Sequence, residues 1–397
     1  MVCNRRSLIV RWPGNWLVWL FLLGLPACRS ATTPAIAPGV YHHQLNLPQG
    51  PWVINIIEVD LPEAREGGLS LRTARADLAH GVLEKTSALA GKAIAAINGD
   101  YFYKDEPVLR TAGLQVRHGQ LLQLPQKRSV FALDTEGQPL IEVFHFEAGL
   151  IQSPDQTLPI TALNRRPAAN GLSLYTQFGP SYLDSSRAQI GYQLQPLTPT
   201  PLANDTVTAR VVQVLPVNAD IALDEGQWLV SAGVNYLNNT PLAPGDTVRV
   251  FCLLPPAMHP LQEGLGGGPR LLRDGEVSIE YEQEGLDRNA PKFVFERHPR
   301  TAIGYTKDAE TLFLITVDGR QPGYSEGMTL QELADFMGSK MAEYTNVGAN
   351  AYQALNLDGG GSTTMVVHQQ VVNRPSDETG ERSVANALLV VDTTATL

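Results

Sequence analysis

The chain has 397 residues, of which 18% are charged and 43% hydrophobic, and its formal net charge is −10. That balance belongs to a globular protein and excludes a disordered or collagen-like chain; an acidic total with no Lys/Arg block also excludes sequence-independent nucleic-acid binding. The 35 glycines and 28 prolines call for many turns, hence a strand-rich fold with short connections.

At the N-terminus, Arg5, Arg6 and Arg11 precede an apolar run from Trp16 to Leu25, followed by Pro26-Ala27-Cys28. A positive stretch, a short apolar stretch and a small residue before the cut describe a secretory signal over residues 1–28. The apolar run is too short to span a bilayer comfortably. Leu25-Pro26-Ala27-Cys28 resembles a bacterial lipobox, in which Cys28 would be lipidated and become the first mature residue, and Arg5-Arg6 also suits a twin-arginine signal. The protein is therefore expected outside the cytoplasm, secreted or periplasmic or held to the envelope by a lipid at Cys28, with no other membrane contact. Residues 29–45, with Pro34 and Pro38, are expected as a linker, and residues 46–397 as one domain. Outside the signal and Cys28 the one cysteine is Cys252, inside the apolar run Val248 to Leu254. It reads as a buried strand residue, which leaves no disulfide framework or cysteine metal site.

In chain order, β-branched content predicts a strand over Trp52–Asp60. A helical turn follows over Leu83–Ala90, then a short buried strand over Lys92–Asn98. Further strands are expected at Val130–Leu133, Val207–Leu215, Trp228–Ser231 and Thr247–Leu254. Thr301–Tyr305 and Thr311–Val317 pair as a hairpin around Lys307-Asp308. One helix is expected from Thr329 to about Glu343: Thr329 and Glu332 make a capping box, and Leu330, Leu333, Ala334, Met337 and Met341 recur on one face. There is no fixed-period repeat. The expected fold is a single large α+β domain, a strand-rich mixed sheet with few helices.

Glycines and polar residues crowd the ends of apolar strands in four places. Ile97-Asn98-Gly99-Asp100-Tyr101-Phe102 closes the buried strand and reads equally as a turn. Gly266-Gly267-Gly268-Pro269 lets the backbone approach a ligand and point amides at an anion, or is only a loop, and with no Lys-Ser/Thr following it is no Walker loop. Arg300-Thr301-Ala302-Ile303-Gly304 and Val317-Asp318-Gly319-Arg320 place a carboxylate where an apolar strand meets solvent, beside an arginine able to grip a phosphate. In Asn356-Leu357-Asp358-Gly359-Gly360-Gly361-Ser362, three glycines between strands weaken a sheet. The amides of Gly359 to Ser362 could cradle an oxyanion beside Asp358. Asn373-Arg374 and Glu381-Arg382 add polar groups downstream.

These segments, in this order and together with Ser325-Glu326-Gly327-Met328-Thr329, resemble the phosphodiester glycosidase family over about residues 90–392. The resemblance implies a hydrolase that splits a sugar-1-phosphodiester into free sugar and a phosphomonoester. Its substrate would be a small molecule or glycan carrying a sugar–phosphate linkage. Oxocarbenium character at the anomeric carbon calls for a carboxylate, so Asp318 and Asp358 are the expected catalytic pair. Arg300, Arg320 and Arg382 are expected to bind phosphate with the Gly359, Gly360, Gly361 and Ser362 amides; Asn98, Asp100 and Asn373 are expected to bind sugar hydroxyls or position a water. Two alternatives stay open. In a metal-dependent phosphodiesterase, Asp100, Asp318 and Asp358 would hold a divalent cation, Ca²⁺ or Mg²⁺. A non-catalytic envelope lipoprotein would bind polysaccharide through the same groove.

Overall fold

The computed structural model describes residues 33–393 apart from 79–80, 104–108, 154–155, 180–187, 198–202, 217–222, 225, 237–240 and 288–289. The signal segment, including the expected lipidation site Cys28, lies outside the described residues.

An eight-stranded antiparallel sheet runs in the order Ala35–Ala37, Val40–Leu47, Trp52–Asp60, Thr311–Val317, Arg300–Tyr305, Gln353–Asn356, Arg270–Arg273, Glu276–Val277. Its third strand, Trp52–Asp60, is a nearly unbroken apolar run because both faces are covered. Ile54 and Ile56 pack with Phe313, Ile315 and the helix residues Leu333 and Met337 on one face. Ile57 and Val59 pack on the other with Ile97, Leu388 and Val390 of a second, five-stranded sheet. That second sheet contains Met365–Val367, Ala95–Asn98, Asn386–Asp392 and Leu69–Arg75 in adjacent order.

The predicted hairpin forms with Arg300 opposite Val317 and Tyr305 opposite Leu312. The predicted helix spans Leu330–Ser339, with both halves of its Thr329–Glu332 capping box made. It stops short of the expected end because Lys340 leaves helical geometry, and Met341–Glu343 form a separate 3₁₀ turn. The expected helical turn over Leu83–Ala90 narrows to Thr86–Ala90, preceded by the two-residue strand Glu84–Lys85.

The expected linker over residues 29–45 is corrected by the structure. From Ala35 the chain is already in the eight-stranded sheet, and Val40–Leu47 pairs along its whole length with Trp52–Asp60. The strand carries little apolar alternation because its inward positions include His43. That residue is buried, with its Nε2 2.7 Å from Oε2 of the equally buried Glu58.

Sequence reasoning also did not separate out a closed seven-stranded barrel. It is built from Glu147–Ser153, Gln156–Leu163, Leu172–Tyr175, Trp228–Gly233, Ala188–Pro196, Asp205–Pro216 and Thr247–Leu253. Its core is packed with side chains such as Leu150, Leu174, Leu194, Trp228 and Val250, and the buried Cys252 sits among them. Gln156–Leu163 with Leu172–Tyr175 is the one parallel pairing among the described strands.

Candidate active site

Antiparallel register decides which strand ends meet. Arg300 opens its strand opposite Val317, which closes the next, and Asn356 closes a third strand opposite Ala302. The segments leading to Arg300, Asp318 and Asp358 therefore emerge at one end of the eight-stranded sheet. The end of Ala95–Asn98, from the other sheet, is locked to them by the fully buried Asn98. Its Nδ2 donates to the Asp358 carbonyl at 2.6 Å, and its Oδ1 accepts from Thr301 Oγ1 at 2.8 Å and from the Thr364 amide at 3.1 Å.

A cavity of about 710 Å³ opens at this end. Asp358, Gly359 and Gly360 form one part of its wall; Arg300, Arg320, Arg382, His298 and Lys292 supply positive or titratable groups, and Tyr101 and Phe293 an aromatic side. The Tyr101 and Phe293 rings meet edge to face at 6.0 Å. Asp358 is the one carboxylate among the described lining residues. Arg300 is 2% exposed and donates from Nε to the Met328 carbonyl, and from Nη2 to those of Phe293 and Glu296. Burial lowers its pKa to about 10, which still leaves a cation at neutral pH. Among the described residues neither Arg300 nor Arg320 forms an ion pair, so the cavity holds cationic charge that an anion would neutralise. Arg382 is different: it is paired through Nε and Nη2 with both oxygens of Asp377 at 2.8 and 3.0 Å. His298 receives Arg320 Nη2 at its Nδ1, 3.2 Å away, and its Nε2 lies 2.9 Å from the Lys292 carbonyl.

The glycine turn after Asp358 is required by close approach. A Cβ on Gly359 would meet the Pro299 carbonyl at 2.7 Å, and one on Gly361 would enter the Asp377–Arg382 ion pair. Gly360, at φ +61°, carries the Arg320 guanidinium against its bare Cα. The expected amide cradle is only partly available. The Gly360 amide donates to the Pro299 carbonyl, the Ser362 amide to that of Gly359, and Gly361 and Ser362 are buried behind the wall.

The two expected catalytic carboxylates are separated. Asp358 faces the cavity, whereas Asp318 is 1% exposed and does not line it. Asp318 Oδ1 accepts from Asn373 Nδ2 at 2.9 Å, Oδ2 from Tyr324 OH at 3.0 Å, and both oxygens from the Arg374 amide. Burial raises its pKa and these donors oppose the shift. Asn373 also donates to the Thr363 carbonyl and accepts from the Met365 amide, so it is a buried fastening rather than a cavity group. Asp100 lies behind Tyr101, its Oδ2 accepting from the Gly113 amide at 2.6 Å; desolvation pushes its pKa up to about 7. Asp100, Asp318 and Asp358 do not gather into a ligand set. The one such trio among the described residues is Asp134, Glu136 and His259, elsewhere, and there Asp134 Oδ1 caps a turn by accepting the Glu136 and Gln138 amides. Tyr101, His298, Lys292 and Phe293 were given no role from sequence. Two of them carried a local signal, Tyr101 inside the Ile97–Phe102 segment and His298 two residues before Arg300; Lys292 and Phe293 depend on how the short helix Ala290–Phe293 lies over the cavity.

Fold and cavity together define the class: a strand-rich α+β domain with a cationic cleft and a single carboxylate in its described wall. Residues 203–391 match the phosphodiester glycosidase family, which bears out the resemblance carried by the motifs. Over 126 residues the chain is 29% identical to N-acetylglucosamine-1-phosphodiester alpha-N-acetylglucosaminidase of Mus musculus, and over 125 residues 30% identical to that of Homo sapiens. Each match covers 30% of this chain, and the chain spans 22% of the length of each relative. The crystal structure of a hypothetical protein from Synechocystis shares the fold, with a TM-score of 0.63 at 22% identity over 88% of this chain and 61% of the other.

Proposed function

We propose that the chain is an exported hydrolase that cleaves the anomeric C–O bond of a sugar-1-phosphodiester, with an N-acetylhexosamine as the sugar. The observation that carries this reading is the cavity itself, where Asp358, the one carboxylate among the described lining residues, lies among Arg300 and Arg320, neither of which forms an ion pair with a described residue. The cations would hold the phosphodiester anion and stabilise the phosphate as it departs, and Asp358 would stand by the anomeric carbon where positive charge develops. Water adds its oxygen to that carbon as the C–O bond breaks. The bond pair leaves with the phosphate, and the proton lost by water passes through Asp358 to the phosphomonoester. Tyr101 offers ring surface rather than its hydroxyl, which is bonded to Asn356 Nδ2 and the Gly268 carbonyl. Asp318 acts from behind, holding the 373–374 segment in place.

The test is turnover of a panel of α- and β-sugar-1-phosphodiesters in ¹⁸O-water, followed by mass spectrometry. Free sugar and unlabelled phosphomonoester are expected, with Asp358→Asn slower by about 1,000-fold. Label in the phosphate, or release of sugar-1-phosphate, would mean P–O cleavage and sink the proposal.

A further inference from the structure

We infer that His298 is a positioning residue, a neutral imidazole locked in its Nε2–H tautomer, whose Nδ1 lone pair holds Arg320 for a phosphoryl oxyanion. The inference deepens the reading above, since it takes the cationic cluster as the seat of a phosphate.

Two neighbours dictate the tautomer. The Lys292 carbonyl, 2.9 Å from Nε2, can only accept, so Nε2 carries the hydrogen. Arg320 Nη2, 3.2 Å from Nδ1, can only donate, so Nδ1 carries the lone pair. An imidazolium would turn an N–H of Nδ1 against an N–H of the guanidinium. The charged groups around the ring act in the same direction: burial, Arg300 and Arg320 all lower the His298 pKa, and only the Lys292 carbonyl and Glu296 oppose them.

The backbone under the ring is pinned. His298 N donates to the Met328 carbonyl and Met328 N donates back, at 3.2 and 3.0 Å. A Cβ on Gly327 would collide with the His298 carbonyl. Arg320, in contrast, is exposed and starts from a backbone φ of +58°, and among the described residues it has no carboxylate partner. A long arginine loses rotamer freedom when it grips an anion, and a fixed acceptor that orders it beforehand removes part of that cost. The bare Cα of Gly360 supplies the opposing surface.

The test uses inorganic sulfate, an anion that does not titrate near neutrality, with Kd measured by calorimetry at pH 7.5. Arg320→Ala is expected to weaken sulfate about tenfold and His298→Ala about fivefold, while His298→Ala placed on Arg320→Ala adds nothing. His298→Asn, whose Oδ1 can replace Nδ1 as acceptor, is expected to restore binding to within about twofold; His298→Gln, which imitates only Nε2, is not. Equal losses from His298→Ala in both backgrounds would overturn the inference. So would ¹⁵N imidazole spectra of the unmutated protein that show hydrogen on Nδ1. Neither readout needs turnover. Absent hydrolysis with the coupling intact removes the proposed reaction alone, and hydrolysis with the wrong tautomer removes only the role of His298.

Discussion

Burial sets the chemistry of Asp100. Its carboxyl is 1% exposed and bonded through Oδ2 to a single amide, and its pKa is raised from the ordinary 3.8 to about 7, with desolvation the leading cause and Asp358 adding to it. The folded state then holds a proton that the unfolded state releases between these values. The stability this contributes is complete below pH 4 and is lost as pH rises through about 7. Asp100→Asn keeps an acceptor for the Gly113 amide and has no charge to bury. Its advantage over the natural protein should therefore grow by about 1.4 kcal/mol per pH unit across that window, to a few kcal/mol at pH 8. Urea midpoints at pH 5 and pH 8 read this directly, and an advantage equal at both would contradict it. At this scale the sequence marked the polar residues at strand ends but not their roles. Asp318 and Asp358 look alike along the chain, each followed by glycine after an apolar strand. Only the positions of Tyr324 and the 373–374 segment enclose Asp318, and only the cavity exposes Asp358.

Among elements, the hairpin and the capped helix were legible because their determinants are neighbours in sequence: β-branched runs about a short turn, and Thr329 three residues from Glu332. Glycine runs were legible as special but not as to purpose. Gly266 and Gly267 serve close packing, where a Cβ would meet Asp100 Oδ2 at 2.5 Å and the Asn356 carbonyl at 2.8 Å; neither lines the cavity. The run at Gly359–Gly361 does shape the cavity wall, through its contacts with Arg320 and the Asp377–Arg382 pair. Gly361→Ala should drive a methyl into that pair and displace Arg382. The expected result is a fall in kcat/KM of about tenfold or more with a thermal midpoint lowered by only a few degrees. An unchanged kcat/KM would show that Arg382 does not need its place.

Over the whole molecule, the N-terminal strands and the barrel escaped sequence reasoning for different reasons. Val40–Leu47 reads as polar because its buried partner to Glu58 is a histidine, and Glu58 also accepts the Asn346 and Val347 amides at 2.7 Å. A chain begun at Thr33 should be soluble and fold. One begun at Pro48 exposes the edge of Trp52–Asp60 and leaves Glu58 buried without His43, so it should aggregate or melt at least about 10 °C lower. Soluble yield and thermal melts of the two chains decide this, and equal behaviour would refute it. Three of the seven barrel strands, Asp205–Pro216, Trp228–Gly233 and Thr247–Leu253, were visible one at a time, but closure is a property of registers such as Glu147 opposite Leu253 and Asp205 opposite Cys252, which no local pattern states.

By itself the sequence determined that this chain would be strand-rich, with few helices, and it pointed to Arg300, Asp318–Arg320 and Asp358–Ser362 as candidate site segments, from which Arg300, Arg320, Asp358, Gly359 and Gly360 line the cavity. Alternation, turn residues and caps act between residues a few positions apart, and they can be read there. Tertiary structure alone decided that Asp358 rather than Asp318 faces the cavity, and that Tyr101, Lys292, Phe293 and His298 complete it. Those residues are brought together by strand register across more than 250 positions, and the burial that sorts a wall residue from a buried fastening exists only once both sheets have packed.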